Sequence, residues 1–330
     1  MPSKVAIIYN DPQSEGYQAI GESKAEIAVL DEVQAVNQAL AELKYSSVLV
    51  PLHPPLEQAK KKLEALEVDV VFNLFEGFAG CPETEAEMAS ILTELKIPFT
   101  GSPASTLALC LDKVKTKEAL TKASIQTPHY QVLTPDNIDS FQLDYPCIVK
   151  PVAEDASHGL SEDSVVYHHN SLESQVRKIC GLFGGQSLVE EFVEGREFNT
   201  TVIGNGILRV PAISEIIYTL PSGKPKILTF AAKWQENSLY YNNTPVVCPA
   251  PISPEEKESI ARIAIACFKL VGCKGYARVD LRQDEKDNLK VLEVNPNPDI
   301  TPGSGAARHA VTGGMTYHQF IHELIDLALK

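Results

Sequence analysis

No stretch of this 330-residue sequence approaches the 18 or so consecutive apolar residues of a membrane span, and no signal-peptide pattern precedes Lys4-Val-Ala-Ile-Ile-Tyr9. These absences lead us to expect a soluble, cytoplasmic protein with no membrane partner. The seven cysteines, at 81, 110, 147, 180, 248, 267 and 273, form no CxxC pair and no zinc-type spacing. An odd, dispersed set excludes a disulfide framework and reads as reduced thiols. Basic charge is scarce, with 29 Lys and Arg against 43 Asp and Glu and a net charge of −14. That balance excludes a nucleic-acid surface, but lysines gathered in a cleft can still bind a small anion. The basic run Lys60-Lys61-Lys62 falls in a helical pattern from Leu56 to Leu66 and reads as a solvated face. No Gly-x-Gly-x-x-Gly follows the first strand, which argues against a nicotinamide-dependent oxidoreductase. Gly303-Ser-Gly-Ala-Ala-Arg308 imitates that fingerprint only faintly, because it ends in Arg and follows a proline-broken loop. Repeats and low-complexity segments are absent.

The length suggests two or three subdomains sharing a cleft, and an apolar fraction of 44% supplies their cores. Strands are expected at Lys4–Tyr9, Ser47–Pro51 and Val68–Leu74, alternating with helices at Lys24–Leu43, Leu56–Leu66 and Glu83–Leu95. This alternation predicts a doubly wound parallel sheet. The texture changes near Ser102–Leu111. A helix at Asp112–Ala123, a strand at Pro146–Pro151, a small-residue loop at Val152–Ser161, a helix at Ser171–Phe183 and a strand at Ser187–Phe192 read as an α+β unit. Beyond it come strands at Glu197–Ile203 and Ile207–Ala212 and a long loop over Thr219–Pro245. A helix follows at Pro254–Leu270, with Ser253 as N-cap and Glu256 completing a capping box. The expected domains are 1–112, 113–193 and 194–330.

Tyr276-Ala-Arg-Val-Asp-Leu-Arg282 and Leu289-Lys-Val-Leu-Glu-Val-Asn295 both alternate. In extended form Tyr276, Arg278 and Asp280 share one face, while Leu292 and Val294 oppose Val291, Glu293 and Asn295. A hairpin closed by Gln283–Asn288 in the register that sets Asp280 opposite Glu293 also sets Arg278 opposite Asn295. Two carboxylates and an amide oxygen at cross-strand distance can grip one or two Mg²⁺ ions. Read alone, the same hairpin is a solvated polar face. The irregular Pro296–Gly305 stretch that follows is of the kind that lines sites.

Lys150, at a strand end before small residues, suits an ammonium group reaching phosphate oxygens; the competing reading is a surface lysine. Glu190, Glu191, Phe192 and Val193, with Glu197 beyond, place acids beside an aromatic ring that can stack on a base, while Glu197 can take ribose hydroxyls; the competing reading is an acidic strand end. His318 and His322, four residues apart, lack a third metal ligand and read as ordinary helix residues. His168-His169 reads as a polar connection without a specific task.

Val149-Lys-Pro151, Leu188-Val-Glu-Glu-Phe-Val-Glu-Gly-Arg-Glu-Phe198, Arg278-Val-Asp280 and Leu292-Glu-Val-Asn295 together resemble, in order and spacing, the ATP-grasp ligases, and within them the D-alanine–D-alanine ligase family. The similarity runs over nearly the whole chain, through Phe99-Thr-Gly-Ser102, Leu111-Asp-Lys113, Ala232-Lys-Trp234, Cys248-Pro-Ala250 and Gly272–Arg278. It implies an ATP-grasp fold, α/β and α+β, with an N-terminal doubly wound parallel-sheet domain, and a homodimer. It further implies that Lys113 and Lys150 hold the triphosphate of ATP, that the loop around Ser157 closes over it, and that Lys233 reaches the γ-phosphate. Glu190, Glu191, Phe192, Val193 and Glu197 are implied to hold adenosine. Asp280, Glu293 and Asn295 are implied to bind two Mg²⁺ ions, with Mn²⁺ an alternative, and Arg278 to stabilise an oxyanion. The implied chemistry phosphorylates a carboxylate to an acyl phosphate, which an amine then attacks to form an amide.

The residues that would handle small amino-acid or carboxylate substrates depart from the family. The Tyr9–Gly16 loop lacks its glycine pair, leaving Glu15 as the candidate amine anchor. Glu76 stands in a Phe-Glu-Gly where the family has Leu-His-Gly. Ala156 replaces a serine, Trp234 a tyrosine, and Asp299 a glycine whose amide helps form the oxyanion hole, whereas Ser304 matches a serine that binds the acceptor carboxylate. An added carboxylate repels a substrate carboxylate or attracts an amine, so the expected substrates are not both D-alanine. An ATP-binding protein without catalysis is the alternative, opposed by the full set of metal ligands, arginine and lysines.

Overall fold

The computed structural model describes residues 4–12, 23–78, 80–154 and 157–330; Glu15 and Ala156 fall outside them. The chain opens with β1 (Lys4–Asn10), α1 (Ser23–Glu42), β2 (Ser46–Leu52), α2 (Leu56–Glu64), β3 (Val70–Leu74) and α3 (Thr84–Glu94). Strand β1 pairs in parallel with β2 on one side and β3 on the other. Its alternation sends Ala6 and Ile8 to a face covered by Ala59 and Leu63 of α2 and Met88 and Leu92 of α3. Val5 and Ile7 point the other way, to Val29, Val33, Val36 and Leu40 of α1 and to Phe320, Ile321 and Leu324 from the last helix of the chain. Both faces are therefore buried, as a parallel sheet requires.

The next segment comprises α4 (Ala104–Leu111), α5 (Lys113–Lys122), β4 (Tyr130–Leu133), β5 (Cys147–Pro151), β6 (Val165–Val166), α6 (His169–Leu182) and β7 (Ser187–Glu191). Its strands form an antiparallel sheet in the order β4-β7-β5-β6. Leu172, Val176 and Ile179 of α6 cover Cys147, Val149 and Val189 on one face. Helix α6 starts two residues earlier than its periodicity suggested. His168, read from the sequence as having no specific task, is its N-cap, with Nδ1 accepting the Ser171 N–H at 3.2 Å.

The remainder contains β8 (Glu197–Ile203), β9 (Ile213–Ile216), α7 (Phe230–Trp234), α8 (Leu239–Asn242), β10 (Val246–Val247), α9 (Pro254–Val271), β11 (Tyr276–Gln283), β12 (Leu289–Pro296), α10 (Gly305–Thr312) and α11 (Tyr317–Ala328). The antiparallel sheet runs β10-β9-β8-β11-β12. Helix α9 begins at the expected capping box, Ser253 Oγ accepting Glu256 N–H at 3.2 Å while Ser253 N–H donates to Glu256 Oε2 at 2.8 Å. It ends at Gly272, whose φ of 79° gives the left-handed C-cap. Ile260, Ala264 and Phe268 on its buried face pack on Phe198, Val279 and Leu281 of the sheet.

Two expected elements differ. Ile207–Ala212 is not a strand: the chain turns at Gly204 (φ 133°), makes an isolated bridge from Ile203 to Arg209, and pairs as β9 only after Pro211. Proline cannot donate to a ladder, and Ile207, 93% exposed, has no sheet to face. The long Thr219–Pro245 loop carries two short helices, α7 capped by Thr229 and α8 by Ser238. His318 and His322 hold polar contacts from α11 to the α1–β2 segment: His318 Nε2 lies 2.8 Å from Glu42 Oε2, and His322 Nδ1 lies 2.8 Å from Tyr45 Oη.

The turn into β8 is tightly fitted. A Cβ on Gly195 would fall 1.9 Å from the carbonyl oxygen of Gln283, whose N–H donates to Arg196 O at 2.9 Å. Gly195→Ala is expected to destabilise the fold by about 1–3 kcal/mol. Urea unfolding checks this; an unchanged midpoint would refute the close packing.

Candidate active site

Strand β11 is central in its sheet, and its register fixes the site. Arg278 lies opposite Asn295 and Asp280 opposite Glu293 on β12. On the other flank Asp280 faces Asn199 and Arg278 faces Thr201 of β8. The β12 pairing then slips, because Leu281 faces Val291 and leaves Leu292 as the extra residue of a β-bulge. The slip corrects the strict alternation read from the sequence. Val291 turns into the core with Val279 and Val294, and Leu292 lines the cavity instead.

Arg278 grips Asp280 with a fork, Nε to Oδ1 at 2.8 Å and Nη2 to Oδ2 at 2.9 Å, leaving Nη1 outside the pair. Asn295 Nδ2 donates to Asp280 Oδ2 at 3.1 Å. Burial alone would raise the Glu293 carboxyl, but Lys113, Arg278, Lys233 and Lys150 together hold it at about 2. Behind the sheet, buried His309 contacts Thr201 Oγ1 through Nδ1 and Ser214 Oγ through Nε2, each at 2.9 Å. Ser214 Oγ donates onward to Asn199 Oδ1, so His309 fixes the rotamer of the side chain flanking Asp280.

The strands face a cavity of about 320 Å³ whose lining includes Lys113, Lys150, Ser157, Lys233, Arg278, Asp280 and Glu293. Lys150 Nζ donates to Glu190 Oε2 at 2.8 Å, and Lys117 reaches Glu190 Oε1 at 3.0 Å. Lys117 and Glu190 are each 1% exposed, so the Glu190 carboxylate is committed to two lysines and steadies Lys150 at the cavity wall. Lys117 was not singled out from the sequence. It lies one helical turn after Lys113 on α5, a spacing that puts both on one face. Two loops meet over this end: Phe230 N–H donates to Leu160 O at 3.1 Å, and Lys224 pairs with Glu162 at 2.6 Å. Ser157 sits at the turn of the first loop with φ 65°, and Lys233 lies in the last turn of α7 in the second.

At the other end, Glu191 pairs with Lys290 at 2.9 Å. Phe192 is 5.2 Å beneath the Arg282 guanidinium. Arg282 also donates to Val193 O at 2.7 Å and, through Nε, to Glu197 Oε2 at 2.8 Å, where Tyr218 Oη donates as well at 2.6 Å. Arg282 lies opposite Glu197 in the register and continues the Tyr276, Arg278, Asp280 face by one more step, which is the signal that identifies it. Glu76, Asp299 and Ser304 are not in the cavity lining. Glu76 is exposed after β3 with its N–H on Asn10 Oδ1 at 3.1 Å, and Ser304 Oγ donates to Asp299 O at 2.8 Å in the loop after β12.

Among the described residues, no three His, Cys, Asp or Glu side chains gather as a metal cluster. The available set is two carboxylates and one amide oxygen, hard donors that suit Mg²⁺ when phosphate oxygens and water complete its shell.

Residues 117–326 match the family model described as D-ala D-ala ligase C-terminus. The D-alanine–D-alanine ligase of Pseudoalteromonas translucida is 31% identical over 279 residues, 83% of this chain and 85% of that protein. The protein y4sG of Sinorhizobium fredii is 31% identical over 259 residues, 78% of this chain and 74% of its own. The crystal structure of D-alanine–D-alanine ligase from Bacillus anthracis complexed with ATP superposes with a TM-score of 0.75 at 20% identity, covering 99% of this chain and 97% of that one.

Burial first, then Arg278 and Arg308, holds His309 at about 3 against an ordinary 6.5. The unfolded chain therefore takes up a proton that the folded one refuses. Stability from this group is complete above the ordinary value and declines as pH falls below it. Burial would raise Glu190, but Lys117 and Lys150 outweigh it and hold the carboxyl below its ordinary 4.5; that stability is present above the ordinary value and is lost as pH falls through the folded one. Urea titrations at about pH 7 and about pH 5.5 are expected to show less acid loss for His309→Gln than for wild type. Equal losses would remove the assignment.

Proposed function

The chain belongs to the D-alanine–D-alanine ligase family, and on that premise we propose how its cavity is used. It is an ATP-grasp ligase that forms an amide bond at the expense of ATP. The observation that carries the reading is the polar face of β11 and β12, with Arg278, Asp280 and Glu293 at one end of a cavity whose other walls bring in Lys113, Lys150 and Lys233.

In our reading the base of ATP lies between Phe192 and Leu292, its edge met by the backbone from Glu191 to Val193, and the ribose hydroxyls are taken by Glu197. Arg282 and Tyr218 orient Glu197, which supports that role. Lys113 and Lys150 neutralise the inner phosphates and Lys233 the γ-phosphate, with the loop of Ser157 closing above. Asp280, Glu293 and Asn295 would hold two Mg²⁺ ions, or Mn²⁺, which supply charge neutralisation along the triphosphate when bound. The substrate carboxylate attacks the γ-phosphorus, the bond from that phosphorus to the β–γ bridging oxygen breaks, and ADP departs as the acyl phosphate forms. The amine of the second substrate adds to the acyl carbon, and the tetrahedral oxyanion is met by Nη1 of Arg278, the arm outside its fork with Asp280. Collapse expels phosphate and leaves the amide. Ser304, at the start of α10, would receive the acceptor carboxylate, and Glu15 an amine. Family membership also supports a cytoplasmic homodimer acting on small amino acids or carboxylates.

Phosphate release with ATP and Mg²⁺ against panels of amino acids and small carboxylates tests this reading. D-alanine alone is expected to be outperformed, and fast turnover with D-alanine as both substrates would overturn that expectation. Glu293→Gln is expected to abolish turnover in a protein that circular dichroism shows to be folded. Arg278→Met should lower kcat by about 10²–10³-fold, the cost of losing one oxyanion donor. Full activity in either variant would refute its assigned role.

A further inference from the structure

Asn199 lines the cavity from β8 and stands between Ser214 of β9 and Asp280 of β11. The row continues to Glu293 of β12, with neighbours about 4.5–5.5 Å apart at Cβ. Two residues before Asn199 on the same face, about 7 Å along the strand, is Glu197. Asn199 thus sits between the carboxylate proposed for the ribose and those proposed for the metal ions. Its Oδ1 is taken by the Ser214 hydroxyl. Its Nδ2 has no acceptor among the described residues and is open to the cavity.

A half-turn of an asparagine amide exchanges its oxygen for its NH₂, so what Asn199 shows the cavity depends on what holds it. Three side chains hold it in series. Thr201 Oγ1 meets His309 Nδ1 and His309 Nε2 meets Ser214 Oγ, each at 2.9 Å, and Ser214 Oγ meets Asn199 Oδ1. Thr201, Ser214 and His309 are each 0% exposed. Burial keeps His309 neutral, so one ring nitrogen donates and the other accepts. With the proton on Nε2, Thr201 donates to Nδ1, Nε2 donates to Ser214, and Ser214 donates to Asn199 Oδ1. Every proton then has an acceptor. With the proton on Nδ1 the series reverses, and the Thr201 hydroxyl proton is stranded, because Oγ1 has no other partner among the described residues. The reversed amide would also set its oxygen beside the Asp280 carboxylate. A buried donor without an acceptor is costly, so the series runs from Thr201 to Asn199.

Held in this sense, the amide turns its NH₂ towards the cavity. The part of a nucleotide that falls between a ribose at Glu197 and metal-bound phosphates at Asp280 is the phosphate next to the ribose. We propose that Asn199 Nδ2 donates a hydrogen bond to this α-phosphate, and that Thr201, His309 and Ser214 are positioning residues that keep the amide from turning its oxygen there instead. Turned over, the same side chain sets a partial negative charge against an anion, so the relay decides the sign of the contact. The inference rests on the ATP-binding reading above and extends it to a residue outside the metal, lysine and adenosine groups.

Dissociation constants of adenosine, AMP and ADP for the whole chain with Mg²⁺, from calorimetry or from displacement of ADP where binding is weak, test this. Asn199→Ala should weaken AMP and ADP by about tenfold or more, as for a hydrogen bond to a charged group, and leave adenosine unchanged. Ser214→Ala, outside the cavity lining, should reproduce the pattern in weaker form because it frees the amide to turn. His309→Gln, whose amide can donate to Ser214 in place of Nε2, should bind AMP more nearly as wild type does than His309→Leu. Adenosine weakened as much as AMP would mark a structural role and overturn the inference, as would Asn199→Ala binding AMP like wild type. Equal AMP affinities in Ser214→Ala and wild type, or in the two His309 variants, would remove the relay. A wild-type chain that binds none of the three ligands would overturn the ATP-binding reading itself, and the inference with it.

Discussion

Strand β11 is hydrogen-bonded on both edges, and a strand so held cannot slip or roll. Its two-residue period then dictates the spacing along the site: Tyr276, Arg278, Asp280 and Arg282 stand on one face at steps of about 7 Å. Each flank adds partners by register, Asn199 and Glu197 from β8, and Glu293 and Asn295 from β12. The face works as a ruler, with Tyr276 at one end, Arg278 and Asp280 in the middle and Arg282 at the other. The bulge at Leu292 is compatible with this, because it interrupts β12 only after Glu293 is placed, and it frees an apolar side chain to face the cavity.

Charge in the cavity is balanced. Its lining among the described residues contains six cationic side chains, Lys113, Lys150, Lys233, Arg278, Arg282 and Arg308, and six carboxylates, Glu154, Glu190, Glu191, Glu197, Asp280 and Glu293. Most are paired side by side, so the wall as a whole neither attracts nor repels strongly while its local field varies steeply. A nucleoside triphosphate accompanied by two divalent cations is itself close to neutral and locally polarised, so wall and proposed ligand match in pattern rather than in net charge. An acidic protein can therefore hold a polyanion without a basic surface.

The hairpin register, the α9 capping box and the alternation of strands and helices in the first hundred residues were legible in the sequence, because each is encoded within a few neighbouring residues. The misses were tertiary. Nothing in Leu289–Asn295 marks which residue a bulge sets aside, since Val291 and Leu292 are both apolar and only their partners across the sheet decide. Pro211 did signal that Ile207–Ala212 was a poor strand. Lys117 and Glu32 are charged residues at helical core positions, and their spacing was readable, but a periodicity drawn through apolar residues passes over them. Their burial makes sense only beside Glu190 for the one and the loop after β12 for the other, contacts that span dozens to hundreds of residues.

One face of the parallel sheet is closed by the chain's own far end: Phe320, Ile321, Leu324 and Ile325 of α11 pack with Val5, Ile7 and Phe72. During synthesis the residues that form this sheet emerge first, yet the helix that covers them emerges some 250 residues after β3. For that interval Val5, Ile7, Val70 and Phe72 have α1 on one flank and no α11. The sheet is completed long after its strands are made, so the nascent chain carries a half-open apolar face through that interval, and a ribosome that stalls before α11 releases a product with that face uncovered.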